Sequence, residues 1–461
     1  MNERKLSALT AIDQVSGEVC ALSDAIWDVP ETAFLETTST KLQCETLKKL
    51  GFEVEENLAG IPTAFSGRWG SGKPVIGILG EFDALSGLSQ KANAATKEPI
   101  QVGGNGHGCG HNLLGSGSIA AAYGIKEYLK STGKSGTVIY FGCPGEEGGS
   151  GKAFMARDGV FDGLDAAITW HPEDCNKVAN RRFLGNCQVL YKFDGKAAHA
   201  GASPDKGRSA LDAVELMNMG VQFLREHIPS SCRVHYAITD TGGFSPNVVQ
   251  AHAEVLYLIR GENNAIVAEL YDRVNDIAKG AALMTGTQES HQFIKACSNT
   301  IPNDAIQRML QTKMEQIPMP AVTEEELAFG KALSAQIPGC DPAHPYSDIL
   351  VAYDGESQSF GSTDVGDVSW VCPTAQIWVA TELYNTPGHS WQWTAQGKSS
   401  RAKAMTHYAA KVMAAGAAEL MENPELLAKA KAEHAERVGP EGYIPPIPKD
   451  VRPMAMDSFK K

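Results

Sequence analysis

The sequence predicts an α/β protein: an open mixed sheet flanked by helices, with a ferredoxin-like α+β unit inserted in it. Two observations carry this. Four short apolar runs, PVIGILG, TVIYFGC, DAAITW and TAQIWVA, each stop at acidic or histidine residues. Each is continuous rather than alternating, as strands covered on both faces are. Between the third and fourth lies a block reading strand, helix, strand, strand, helix, strand, the order of a ferredoxin-like unit. The expected organisation is one discontinuous unit, residues 1–185 and 301–461, with residues 186–300 inserted.

At 461 residues the chain is long enough for more than one domain. Its net charge of −13, from 41 basic and 54 acidic residues, argues against nucleic acid or an anionic membrane as partner. There is no apolar run long enough to span a bilayer. The start, MNERKLSALTAIDQVSGEVC, is charged and amphipathic, unlike a signal peptide. Ten cysteines are scattered singly without a CxxC pair, which fits reduced thiols and a cytoplasmic protein.

In chain order, residues 7–51 have helical apolar spacing, with Gly51 as a C-cap. The first apolar strand stops at Glu81-Phe82-Asp83, and residues 88–105 read as a polar loop. Asn112 is the expected N-cap of a long helix of small residues. The second strand ends at Glu146-Glu147, a helix KAFMARDGVF follows, and the third strand ends at His171. The inserted block comes next. Residues 302–350 are uninformative apart from a helix around EEELAFGKALSAQI. The fourth strand ends near His389, followed by a strongly helical stretch and an extended Pro-rich tail.

Ligands of open α/β sheets bind beyond the carboxyl ends of the strands, and four strands here end in residues able to do chemistry. The stretch GGNGHGCGHNLLGSGS places His107, Cys109 and His111 within five residues separated by glycines. A thiol at such a helix start has its thiolate favoured by the helix dipole. Three readings stay open: a buried structural cysteine, a cysteine nucleophile with a histidine base, or a metal site of thiolate and imidazole. Adjacent Glu146 and Glu147 on a glycine-rich turn can divide two tasks, one holding metal and one moving a proton. His171, His389, Cys109, His111 and Glu147 make five potential ligands, more than one tetrahedral zinc needs and suited to two ions. Asp83 is then a carboxylate that orients a ligand. In the inserted block His199 lies beside Arg208, and Asn247 and Arg260 follow; the block is expected to lid the site and bind oxyanion and carboxylate. Asp364 and Asp367, in GSTDVGDVSW, read equally as site or as scaffold.

HGCGHN, PGEEGGSG, WHPE, GKAAHA with GRSALDAV, SPNVVQ and GSTDVGDVSW together resemble the aminoacylase and carboxypeptidase family of di-metal peptidases, M20, in its amidohydrolase branch. The resemblance runs from Ile26 to the PPIPK tail and is weakest over residues 302–350. It implies a zinc-peptidase-like catalytic domain with a lid and dimerisation domain, and two divalent ions, Mn²⁺ or Zn²⁺. It matches Cys109, His111, Glu147, His171 and His389 to the metal ligands and Glu146 to the general base. It matches His199 to a lid histidine that, in relatives, reaches the partner subunit's active site. The implied activity is hydrolysis of an N-acyl amino acid, an aroyl-glutamate foremost, by metal-activated water. Other aromatic or indole-acyl conjugates, deamination of an aromatic amine, or a supporting role beside a paralogous chain are the rivals. A homodimer or a heteromer with a paralogue is expected. Many members carry Asp where Asn112 stands, so one potential carboxylate near the site is lost.

Overall fold

The computed structural model describes residues 3–455. Three helices, Glu3–Gln14, Ser16–Asp28 and Thr37–Lys49, open the chain. Strands β1 (Glu53–Glu56), β2 (Phe65–Ser71) and β3 (Val75–Glu81) follow, then helix His111–Thr132 and β4 (Gly136–Cys143). After helix Gly151–Arg157 come β5 (Ala166–Glu173) and the two-residue strands β6 (Lys177–Val178) and β7 (Arg181–Arg182). The chain then builds β8 (Gly185–Asp194), helix Ala210–Leu224, β9 (Arg233–Asp240), β10 (His252–Gly261), helix Asn264–Thr285 and β11 (Gln288–Cys297). It returns through helices Asp304–Gln316 and Glu324–Ser334, β12 (Ser357–Gln358), helix Val365–Val371 and β13 (Thr374–Ala380). Helices Trp391–Gln396, Ser400–Glu422 and Pro424–Val438 complete it.

Seven strands form one sheet in the order β1-β2-β4-β3-β5-β13-β6. Its centre is parallel, with β3 beside β4 and β5, and β5 beside β13. The edges β1, β2 and β6 run antiparallel to their neighbours, so the sheet is mixed. Adjacent residues of the central strands feed opposite faces, as a pleat requires. Ile78, Tyr140 and Ile168 join the core beneath helices His111–Thr132 and Ser400–Glu422. Leu79, Phe141 and Ala167 join a second core with Phe154, Phe161 and the inserted sheet. Burial on both sides is why these strands read as unbroken apolar runs.

The inserted sheet is antiparallel in the order β11-β8-β10-β9. Its two helices pack on one face through Val214, Met217, Val274 and Ala278, completing the ferredoxin-like pattern. A matched pair of buried hydrogen bonds pins it: Tyr191 Oη to Asn275 Oδ1 at 2.6 Å and Tyr257 Oη to Asn218 Oδ1 at 2.5 Å. Both tyrosines are fully buried, and each hydroxyl has the partner a buried phenol needs.

Three sequence expectations are corrected. Strands β1 and β2 form where no strand is expected, because EVEE and FSGRWGS lack an apolar run. The helix Asp304–Gln316 lies in the stretch that reads as uninformative; its buried face includes Gln307, Gln311 and Lys313, polar residues that hide its apolar stripe. The long helix begins at His111 with Gly110, in the left-handed region at φ 73°, as its N-cap. Asn112 is instead drawn into the first turn. Its side-chain amide donates to Ser23 Oγ and to the Gly397 carbonyl, both at 3.0 Å. An aspartate cannot donate to a carbonyl, so Asn112→Asp sets a buried carboxylate against the Gly397 oxygen. We expect it to cost about 1–3 kcal/mol of stability, measurable as a shift in the denaturant midpoint at unchanged slope. Among the described residues no helix is long and apolar enough to cross a membrane.

Candidate metal centre

The parallel strands β4, β3, β5 and β13 bring their carboxyl ends to one edge, and the chemistry-bearing residues follow them there. β3 ends at Glu81, two residues before Asp83, while β4 runs into Pro144-Gly145-Glu146-Glu147. His171 lies within β5, in register with Trp378 of β13. The loop carrying Cys109 is drawn in by close approach: a Cβ on Gly108 would lie 2.3 Å from Leu88 Cδ1, and one on Gly110 2.9 Å from Pro172 Cβ. His389, at φ 53°, is brought alongside by its N–H, which donates to the Gly108 carbonyl at 3.1 Å.

Two donor groups result, each with its ligating atoms within 4.8 Å of one another: Cys109, His111 and His171, and Cys109, Glu147 and His389. Cys109 belongs to both. Its Sγ lies 3.4 Å from His171 Nε2, and Glu147 Oε1 lies 3.3 Å from His389 Nε2. Glu146 lies in a third group, with His111 and Glu81. Asp83 spans the arrangement, with Oδ1 2.9 Å from His111 Nδ1 and Oδ2 accepting the Glu147 N–H at 2.9 Å. That contact leaves His111 Nε2 facing Glu81 Oε2 at 3.3 Å. Behind the turn, Glu36 Oε1 accepts the Gly145 N–H at 2.8 Å.

Five carboxyl groups, Glu36, Glu81, Asp83, Glu146 and Glu147, gather at this edge, and the buried Lys152 ammonium pairs with Glu81. Burial, joined by the Glu81 and Glu147 charges, pushes the Glu146 carboxyl well above its usual range. Glu147 is pushed up by burial too, but the His389 hydrogen bond and the His111 charge hold it down to about 2. Burial, with the His111 charge, lowers His171 to about 4, so its ring is neutral and free to donate a lone pair. The Cys109 thiol is raised by burial and by Glu147. This corrects the expectation from the helix dipole: desolvation outweighs it, and a cation is what would make the thiolate. A nucleophilic role for Cys109 is disfavoured for the same reason. The donor set of one sulfur, imidazoles and carboxylates suits Zn²⁺ or a similar divalent ion, and the buried His111 Nε2 lacks a hydrogen-bond partner. The residues present therefore fit metal.

The remaining sequence-predicted residues lie elsewhere. His199 and Asn247 are exposed on adjoining loops of the inserted unit, joined by the Ala200 N–H donating to the Asn247 carbonyl at 2.9 Å. The His199 ring accepts N–H groups of its own loop, from Gly201 and Ala202. Arg260 ends β10 and donates from Nη1 to Ser362 Oγ at 2.9 Å. Arg208 is occupied by the carbonyls of Asp205 and Gly207. His107 is buried against the Ile26 carbonyl. Glu36 and Lys152 carry no role in the sequence reading, and Glu81 stands there only as a strand end. The available signal was a lone lysine in the otherwise apolar GKAFMA, beside strands ending in acids.

A peptidase dimerisation domain matches residues 183–284. The chain is 46% identical to a p-aminobenzoyl-glutamate hydrolase subunit of Escherichia coli K12, over 94% of this chain and 95% of that protein. It is 29% identical to the mouse Xaa-Arg dipeptidase, over 93% and 91% of the two chains. Among solved structures it resembles an aminobenzoyl-glutamate utilization protein from Klebsiella pneumoniae, with TM-score 0.56, 18% identity and 86% and 96% coverage. It also resembles a Bacillus subtilis dinuclear metal-binding peptidase of family M20, with TM-score 0.52, 18% identity and 87% and 98% coverage. The chain belongs to the M20 peptidase family, whose members are metal-dependent amidohydrolases and peptidases.

Proposed function

We propose that this chain hydrolyses the amide bond of N-acyl amino acids, foremost an aroyl-glutamate such as p-aminobenzoyl-glutamate, in the cytoplasm. The observation that carries this reading is the pair of donor groups sharing Cys109, with Glu146 set against His111. The similarity to the E. coli hydrolase supports the choice of substrate. Cys109, His111, Glu147, His171 and His389 would hold two divalent ions, Zn²⁺ or Mn²⁺, with Asp83 orienting His111 and the Glu147 turn. When bound, such ions supply a water of lowered pKa and polarise the amide carbonyl. Glu146 would be the carboxylate that accepts a proton from the attacking water and passes it to the leaving nitrogen. His199 and Asn247 would supply oxyanion donors, reaching a site in a partner protomer, and Arg260 would meet the substrate carboxylate.

Residues 186–300 are, on this reading, the lid and dimerisation unit within a catalytic unit of residues 1–185 and 301–461. Tyr236 and Ile238 on edge strand β9 are exposed, as are Met219 and Phe223 on helix Ala210–Leu224. An exposed apolar edge of this kind is a pairing surface. The partner is a second copy or a paralogous chain; the chain is also 28% identical to another subunit of the E. coli hydrolase, over 56% of its own length.

The test is metal analysis of the purified protein, followed by an acyl-amino-acid panel with the bound metal restored. Turnover of p-aminobenzoyl-glutamate above indole-acyl and aliphatic conjugates is expected, and abolished by EDTA. Activity that survives chelation would overturn the metal mechanism. Protein without metal or activity until mixed with a paralogue would mark it as a supporting chain.

A further inference from the structure

Lys152 is completely buried, and its Nζ lies 2.6 Å from both Glu81 Oε1 and Asp364 Oδ1. Its backbone N–H donates to the other oxygen, Asp364 Oδ2, at 2.9 Å. Asp364 therefore grips the chain where the Glu146–Glu147 turn enters helix Gly151–Arg157. Glu81, on the far side of the ammonium, faces His111.

Asp364 immediately precedes helix Val365–Val371, and the first turn of that helix is tied to the junction of the inserted sheet. Asp367 accepts the Ser298 N–H at 2.9 Å and the Ser298 hydroxyl at 2.7 Å, one residue beyond β11. A Cβ on Gly366 would lie 2.1 Å from the Ser298 carbonyl oxygen, so the two backbones are in direct contact. Ser369 Oγ accepts the Ile301 N–H at 2.8 Å on the same returning strand. The two Asp367 bonds are buried and made to a carboxylate, the strong class.

We propose that Lys152 and Asp364 are positioning residues that couple the seating of the inserted sheet to the pose of the Glu146–Glu147 turn. Helix Val365–Val371 is the strut: Asp367 holds the Ser298 junction, and Asp364 holds Lys152, which holds Glu81 against His111. A shift at the junction is passed to the carboxylates. The proposal rests on the reading of Glu146 and Glu147 as site residues.

Asp364→Asn keeps the volume but leaves one acceptor oxygen for the two donors of Lys152. Ser298→Ala perturbs the strut at its Asp367 contact without touching the site. Both are read in the full chain by amide hydrogen exchange, metal content, and kcat and KM for p-aminobenzoyl-glutamate. In Asp364→Asn we expect exchange over residues 145–152 and 297–301 to quicken about tenfold, with residues 187–193 unchanged. Its kcat is expected to fall about 10- to 100-fold, with KM within about twofold and metal content as in the parent. Ser298→Ala is expected to quicken exchange over 145–152 by about threefold. The coupling is overturned if Ser298→Ala leaves that segment and kcat unchanged, or if kcat in Asp364→Asn falls only in step with metal content. The exchange arm needs no substrate. Absence of hydrolysis in the parent protein therefore sinks the proposed function, whereas unchanged exchange in both variants sinks the coupling.

Discussion

Glu146→Gln is expected to bind metal as the parent does and to lose hydrolysis of p-aminobenzoyl-glutamate by about 10³-fold, within the range of acid–base catalysis. The geometry separates the two neighbouring glutamates. Glu147 belongs to the Cys109–His389 donor group, its N–H anchored on Asp83. Glu146 shares its group with Glu81 and His111, and Glu81 already has Lys152 as partner. Removing the Glu146 charge therefore takes away a proton acceptor while leaving both Cys109 groups intact. The measurement is single-turnover kinetics beside metal analysis. Turnover within tenfold of the parent would falsify Glu146 as the base, and loss of metal in step with activity would make it a ligand instead.

The strand ends were legible because each is a local fact: an apolar run, then an acid or a histidine. The parallel register of β3, β4, β5 and β13 turns those separate endings into one edge, and the Cys109, His111, Glu147, His171 and His389 side chains meet there. The inserted unit was legible for the same reason, since every element carries its own period. What the sequence hid depends on partners distant in the chain. Lys152 looks like a solvated lysine until Asp364, 212 residues later, is seen to bind it. Asn112 looks like a cap until Ser23 and Gly397 claim its amide. Asp364 and Asp367, which read either way in the sequence, serve as anchors, one on Lys152 and one on Ser298. Strands β1 and β2 pair at the sheet's edge, where glutamates and glycines are tolerated and no apolar run is required. His199, which the resemblance matches to a histidine reaching a partner subunit's site, and Asn247 sit exposed on loops of the inserted unit.

The second large effect concerns Cys109. Because its sulfur is common to both donor groups, Cys109→Ala removes a ligand from each. It is expected to lower bound metal from about two ions per chain to fewer than one, with activity lost. His171 and His389 belong to one group each, so His171→Ala and His389→Ala should each cost about one ion and leave the other. The contrast is physical rather than positional. A soft thiolate can be shared between two ions, and its formation depends on them, since burial and the Glu147 charge otherwise keep the thiol protonated. Without the sulfur each candidate group would keep only two donors, Glu147 and His389 in one and His111 and His171 in the other, and two donors would hold a divalent ion weakly. Titration of the metal-free protein with Zn²⁺, followed by calorimetry and by proton release, reads this directly. The parent should release a proton on binding, from the thiol, and Cys109→Ala should release correspondingly less. Two ions bound with unchanged affinity in Cys109→Ala would mean that the sulfur packs beside the centre without holding it. Equal losses in all three variants would mean that the two ions bind only as a pair.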